Sequence, residues 1–263
     1  MAKIIGVVNQ KGGVGKTTTA VNLSASLASL RQKTLLVDFD PQGNSSSGVG
    51  VDKNDPDIAT VYDVLTGENP LEPSIRKVYP DFFKDMFDVL PSNSQLTGAE
   101  VEFLSIEDRE NVLKNRLSEV PDSYDYVIID CPPSLNILSI NALAAADSVI
   151  IPVQCEYYAL EGVAHIRNTL SLVRRRINPA LIVEGYLLTM FDMRNNICHA
   201  VARETRDHFG AETFETVISR TVRLAECPSH GKPLIVYESS SQGAQDYMSL
   251  AGEIIKKNGG VQT

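Results

Sequence analysis

Two lysines bracket a glycine cluster near the start of the chain, where residues 6–18 read GVVNQKGGVGKTT. Gly12, Gly13 and Gly15 let backbone N–H groups converge on an anion, and a helix opening at Lys16-Thr17 adds the positive end of its dipole. The matching ligand chemistry is a nucleotide polyphosphate. Lys16 reaches the terminal phosphates, Thr17 offers its hydroxyl to Mg²⁺, and Val14 and Thr18 complete the cradle. The strict GxxxxGK[ST] spacing is not met, because it demands glycine at position 10 and the chain has Gln10. Lys11 is one cation more than a single cradle requires.

Carboxylates complete the set. Asp38 and Asp40, in LLVDFDPQGN, close one apolar run, and Asp130 closes another, YVIID. Open α/β sheets bind ligands at the carboxyl ends of their strands, which is where these residues fall. Each signal alone has an ordinary reading, since acidic residues commonly end strands. The loop and carboxylates together, in this order, make a phosphoryl-transfer site.

The elements that must position them are legible as alternation. KIIGVV (3–8), TLLVD (34–38), MFDVL (86–90), YVIID (126–130), SVIIPV (148–153) and LIVEGYLLTM (181–190) read as buried strands separated by helix-period segments. Ala20, Leu23, Leu27 and Leu30 give one buried helix face, and Leu160, Val163, Ile166, Leu170 and Val173 another. The expected fold class is α/β: one domain over residues 1–263, a mostly parallel twisted sheet with helices on both faces. Residues 42–85 read as a long excursion with one short helix near Val61–Leu65, and a last helix spans about 241–257 before a frayed end.

No apolar run approaches the roughly 20 residues of a membrane span, and the strand-like start leaves no room for a signal peptide, so a cytoplasmic protein is expected. Four scattered cysteines form no CxxC pair and four scattered histidines no ligand set, which argues against a zinc or iron–sulfur site. The formal charge is −9, unevenly shared: residues 1–159 carry 12 basic and 22 acidic side chains, residues 160–263 carry 12 and 11. A polyanion-binding surface therefore has to be local and in the second half.

KGGVGKTT resembles the deviant Walker A loop of the ParA/MinD group of P-loop ATPases. The segments SINALAAAD (139–147), PVQCEYYALEG (152–162), LLTMFDMR (187–194) and VRLAECPSHGKP (222–233) are similar to the chromosomal ParA, or Soj, subfamily across nearly the whole chain. The resemblance implies a CbiA-like ParA domain with seven or eight strands and no added N-terminal DNA-binding domain. It implies ATP and Mg²⁺ as cofactors and slow hydrolysis of ATP to ADP and phosphate, stimulated by a ParB-like partner. It also implies an ATP-dependent sandwich homodimer that binds double-stranded DNA without sequence preference, nucleoid-associated in a bacterial cytoplasm.

Residue by residue, the resemblance makes Lys11 a signature lysine that crosses the dimer interface to the partner's nucleotide. Gly12 would let the two loops approach. Asp40 would orient the attacking water, Asp38 and Asp130 would hold the Mg²⁺ shell, and Met190 would join the loop in binding nucleotide. Arg194, Arg223 and, more weakly, Arg220 are the DNA-binding candidates. Arg174-Arg175-Arg176 reads as a solvated helix end. Two departures stand out: Ser219 and Thr221 replace a proline and an asparagine near the base, and YESSSQGAQDY lacks arginines that relatives place there. The alternatives are a nucleotide-dependent positioning scaffold and a MinD-like membrane-surface switch, the latter needing a basic amphipathic C-terminal helix.

Overall fold

The structure, a computed structural model, describes residues 2–156 and 159–259, with nothing said of the side chains of 159–162 and 164. Among the described residues eight strands form one sheet: β1 (Lys3–Val7), β2 (Thr34–Asp38), β3 (Arg76–Lys77), β4 (Phe87–Leu90), β5 (Tyr126–Asp130), β6 (Ser148–Gln154), β7 (Ile182–Phe191) and β8 (Thr213–Ser219). Their order is β3-β4-β2-β5-β1-β6-β7-β8. Every pairing is parallel except β3 with β4, which is antiparallel at the edge.

Successive strand residues point to opposite faces, and that alternation splits the core in two. Leu35, Val37, Val127, Ile129, Val149 and Ile151 enter one apolar layer; Ile5, Val7, Leu36, Ile128, Ile150 and Leu187 enter the other. The second layer is covered by α1 (Lys16–Ser29) and by the last helix, Gln242–Lys257, which buries Tyr247, Leu250, Ala251, Ile254 and Ile255. The first is covered by the helices Ile137–Ala145, Ala159–Arg176 and Asn196–Phe209, among others. Ala20, Leu23 and Leu27 are fully buried as expected, and Leu30 partly; Val163, Ile166, Leu170 and Val173 are buried, while the side chain of Leu160 lies outside those described.

Two expectations need correction, and one strand was not located. Residues 42–85 are not an irregular excursion with one helix: they hold helices at Asn44–Gly48, Val61–Thr66, Leu71–Ser74 and Pro80–Phe83, and strand β3. The helices are four to six residues long and β3 only two, too short for a hydrophobic period to register. The eight strands agree with the seven or eight implied by resemblance, but β8 is not among the six located by pattern, because an edge strand carrying the exposed Glu215 lacks a continuous apolar run. Arg174 is no freely solvated helix end, since its Nε donates to the Leu181 carbonyl at 2.7 Å. The expected fraying after Gly259 falls on residues outside those described.

Candidate functional site

Sheet register sets the site. Asp38 pairs across from Asp130, and Val7 from Asp130 on its other side, so three strand ends meet at one point of the C-terminal edge. The glycine loop starts immediately beyond β1. Gly13 and Gly15 take φ of 75° and 91°, left-handed values that exclude side chains without strain. Gly15 caps α1 with no side-chain acceptor, leaving the first-turn N–H groups free for an anion.

A cleft of ≈ 320 Å³ is lined by Gly12, Gly13, Gly15, Lys16, Thr17, Thr18, Asp40 and Met190, together with Gln42, Asn44 and Pro133. Eight of the residues nominated from the sequence therefore share one concavity. Val14 is buried below it, and its carbonyl accepts from Thr189 Oγ1 at 2.9 Å. Lys16 is 7% exposed, and its Nζ donates to the Lys11 carbonyl at 3.2 Å, folding the ammonium into the loop. Burial lowers its pKa, while Asp130, Cys131 and Asp40 pull the other way. Such an ammonium gains strongly from an arriving phosphate.

Lys11 behaves differently. Its Nζ lies 3.3 Å from Glu156 Oε2, with 40% of the lysine side chain exposed. It stands on the rim, outside the set that lines the cleft. Gly12 beside it has no positive φ, and a Cβ built there would meet nothing within 4 Å. Nothing inside the described chain asks for glycine at this position.

Asp38 and Asp130 are fully buried behind the cleft. Desolvation pushes Asp38 up to about 6, against hydrogen bonds from Ser46. Desolvation and then the adjacent Asp38 push Asp130 up to about 7, with the hydroxyls of Ser45 and Thr17 opposing. Asp130 Oδ1 is buried without a hydrogen-bond partner. Two adjacent carboxylates short of positive charge, one with an unspent oxygen, fit a divalent cation. No group of three or more His, Cys, Asp or Glu side chains placed to hold a metal ion by themselves occurs among the described residues. A cation here would take its other ligands from Thr17, water and phosphate oxygens, the mixture Mg²⁺ prefers.

A second cleft of ≈ 290 Å³ shares Gly15, Thr18 and Met190 with the first and extends to Ser219, Arg220 and Thr221. It has the position and size for a nucleoside. Arg220 thus faces this cleft. Arg194 and Arg223 lie in neither of these two clefts. Arg194 is 90% exposed at its side chain and pairs with Asp192; Arg223 pairs with Glu226 at 2.9 Å and Glu238 at 2.8 Å.

Sequence reasoning missed the residues that hold the loop. Asn9 donates to the Pro152 carbonyl at 2.7 Å and accepts from the Lys11 N–H at 3.0 Å, tying the loop to β6. Thr189 ties it to β7, and Ser45 donates to Asp130 Oδ2 at 2.7 Å. Asn9 lies inside the loop motif and could have been suspected; Thr189 and Ser45 carry no signal without knowledge of strand order.

A family model described as an AAA domain matches residues 2–183. The chain is 50% identical over 258 residues to the chromosome partitioning protein ParA of Myxococcus xanthus, covering 98% of this chain and 89% of that protein. It is 50% identical over 254 residues to the sporulation initiation inhibitor protein Soj of Bacillus subtilis, covering 97% and 98%. Among solved structures it resembles a cobyrinic acid a,c-diamide synthase of Mycobacterium smegmatis with bound ADP and magnesium, at 33% identity and TM-score 0.85 over 100% of this chain and 98% of that one. It also resembles the cell division ATPase MinD of Pyrococcus furiosus, at 28% identity and TM-score 0.79 over 98% and 100%.

Proposed function

Because the chain belongs to the AAA-domain family and, within it, to the ParA/Soj partitioning proteins, we propose that it is a nucleotide-operated dimerising switch acting in DNA segregation. It is an ATPase that uses ATP and Mg²⁺. Lys16 and the free N–H groups of the loop bind the phosphates; Thr17, Asp38 and Asp130 hold the cation; Asp40, which lines the cleft, orients the water. The nucleoside lies against Met190 in the adjoining cleft. Water attacks the γ-phosphorus, the bond to the β-γ bridging oxygen breaks, and ADP and phosphate leave.

The observation that carries the dimer reading is Lys11. It is a half-exposed cation beside a phosphate cradle that already has its own lysine, followed by a glycine with no steric reason within its own chain. Two nucleotides facing each other bring together charges that such a lysine offsets, and a cation supplied in trans stabilises the transition state. A site completed only by a second copy turns over slowly alone. On this reading the ATP dimer binds double-stranded DNA non-specifically through Arg194 and Arg223, doubled by symmetry, is discharged by a ParB-like partner, and resides on the bacterial nucleoid in the cytoplasm.

The membrane-switch alternative has little support: the apolar side of Gln242–Lys257 is spent on the sheet, and no helix among the described residues is long and apolar enough to cross a membrane. A scaffold that needs no turnover shares the same loop. Phosphate release by wild type and Asp40→Ala, with DNA and a ParB-like protein present, separates the two. A stimulated wild type and a silent variant trapped as an ATP dimer support the switch; equal, negligible rates support the scaffold.

A further inference from the structure

Asp40 sits two residues beyond the end of β2, in a turn closed by the Gly43 N–H on the Asp40 carbonyl at 2.9 Å. A carboxylate on such a loop needs outside support to hold a reactive geometry. Part of that support comes from Ser92, 52 residues later, in the segment after β4. Ser92 Oγ donates to the Asp40 carbonyl at 2.9 Å, and Ser92 N–H donates to Ser46 Oγ at 2.9 Å. Ser46 in turn donates to Asp38 Oδ2 twice, from Oγ at 2.7 Å and from N–H at 2.8 Å.

Both serines are 0% exposed, and neither lines the phosphate cleft. The Ser92 carbonyl closes the third side, 2.5 Å from where a Cβ on Gly43 would stand, so that glycine is required by contact as well as by its φ of 61°. Asp38 and Asp40 are thus tied directly, by the Asp40 N–H on Asp38 Oδ1 at 3.3 Å, and a second time by this chain of donors running from Ser92. An alanine at 46 would leave the buried Ser92 N–H without its acceptor and remove one of the donors to Asp38.

We infer that Ser92, acting with Ser46, is a positioning residue for the reaction, fixing the turn that carries Asp40 against the carboxylate of Asp38. The inference rests on the reading that Asp40 orients the attacking water. A displacement of about 1 Å at a reacting group can cost about 100-fold in rate, and losing an outer hydrogen-bond partner costs about 10- to 100-fold.

The test uses the full chain with ATP and Mg²⁺, measuring equilibrium ATP binding, melting temperature and single-turnover phosphate release for Ser92→Ala, Ser46→Ala, Ser46→Thr and Asp40→Ala. Ser92→Ala and Ser46→Ala are expected to bind ATP within about threefold of wild type, because neither hydroxyl touches the cleft, yet to lose about 10- to 100-fold in turnover. Ser46→Thr, which keeps the hydroxyl, is expected to keep most of the rate. Should Ser92→Ala not fold, the Ser46 pair decides alone.

Rates within about twofold of wild type in both alanine variants, with Asp40→Ala inactive, overturn the inference and leave the Asp40 assignment standing. Parallel losses of binding, melting temperature and rate would make the serines merely structural and overturn it too. If Asp40→Ala turns over like wild type, it is the Asp40 reading that fails.

Discussion

Asp38 and Asp130 give a stability signature of their own in protein stripped of metal and nucleotide. Burial holds protons on these carboxyls up to about 6 and about 7, whereas a carboxyl in the unfolded chain titrates near 4. Between those limits the folded state binds more protons than the unfolded, so stability falls as pH rises from about 4, and the loss is complete above about 7. Three pKa steps on one group correspond to about 4 kcal/mol, and a shared proton makes the pair's total less than twice that. In a chain of this size each kcal/mol moves the melting temperature by about 2–4 °C.

Urea and thermal melts at pH 5, 6, 7 and 8 in EDTA are expected to show the apo protein most stable at the acid end of that range. Asp130→Asn should flatten the profile and exceed wild type at pH 8, because it removes the uncompensated charge. Adding Mg²⁺ with ADP should flatten the wild type as well, since the cation supplies the missing positive charge. Exposed carboxylates held low by cations, Asp85 by Lys77 and Asp192 by Arg194, act with the opposite sign but only below about pH 4. Parallel profiles for wild type and Asp130→Asn in EDTA would refute the reasoning.

Lys16→Ala should abolish ATP binding, a loss of at least about 100-fold by equilibrium titration, because the buried ammonium has no substitute in the cleft; affinity within tenfold of wild type would contradict its role. Thr189→Val leaves the Val14 carbonyl without its 2.9 Å donor and should cost about 1–3 kcal/mol, read as earlier melting together with weaker nucleotide binding. Arg223→Glu should eliminate ATP-dependent DNA shifts while leaving nucleotide affinity intact; unchanged shifts would remove Arg223 from the DNA surface.

What was legible in the sequence was what strong local chemistry marks. Glycines with forced left-handed φ, a lysine after them, and aspartates ending uninterrupted apolar strands gave the cleft and its carboxylates. Six strands were visible because most of their residues are apolar and buried, with Asp88 in β4 and Glu184 in β7 the charged residues inside them short of a strand end. What escaped is non-local. Ser45, Ser46 and Ser92 look like loop residues until β2, β4 and β5 are set side by side, and Asn9 and Thr189 matter only because β6 and β7 flank the loop. Arg220, exposed and directly after β8, lines the cleft beside Met190, a placement that depends on how β8 ends at the sheet edge.

The central claim is that Lys11 leaves its contact with Glu156 and reaches the nucleotide of a second copy. A structure of the chain with Mg²⁺ and a non-hydrolysable ATP analogue, with solution scattering of the same sample and of Lys11→Ala, tests it directly. The account predicts a two-fold dimer with each Lys11 Nζ within hydrogen-bond distance of the partner's γ-phosphate, and scattering of a monomer for Lys11→Ala that still holds nucleotide. Wild-type monomers at saturating analogue, or a dimer in which Lys11 remains on Glu156 of its own chain, would contradict it.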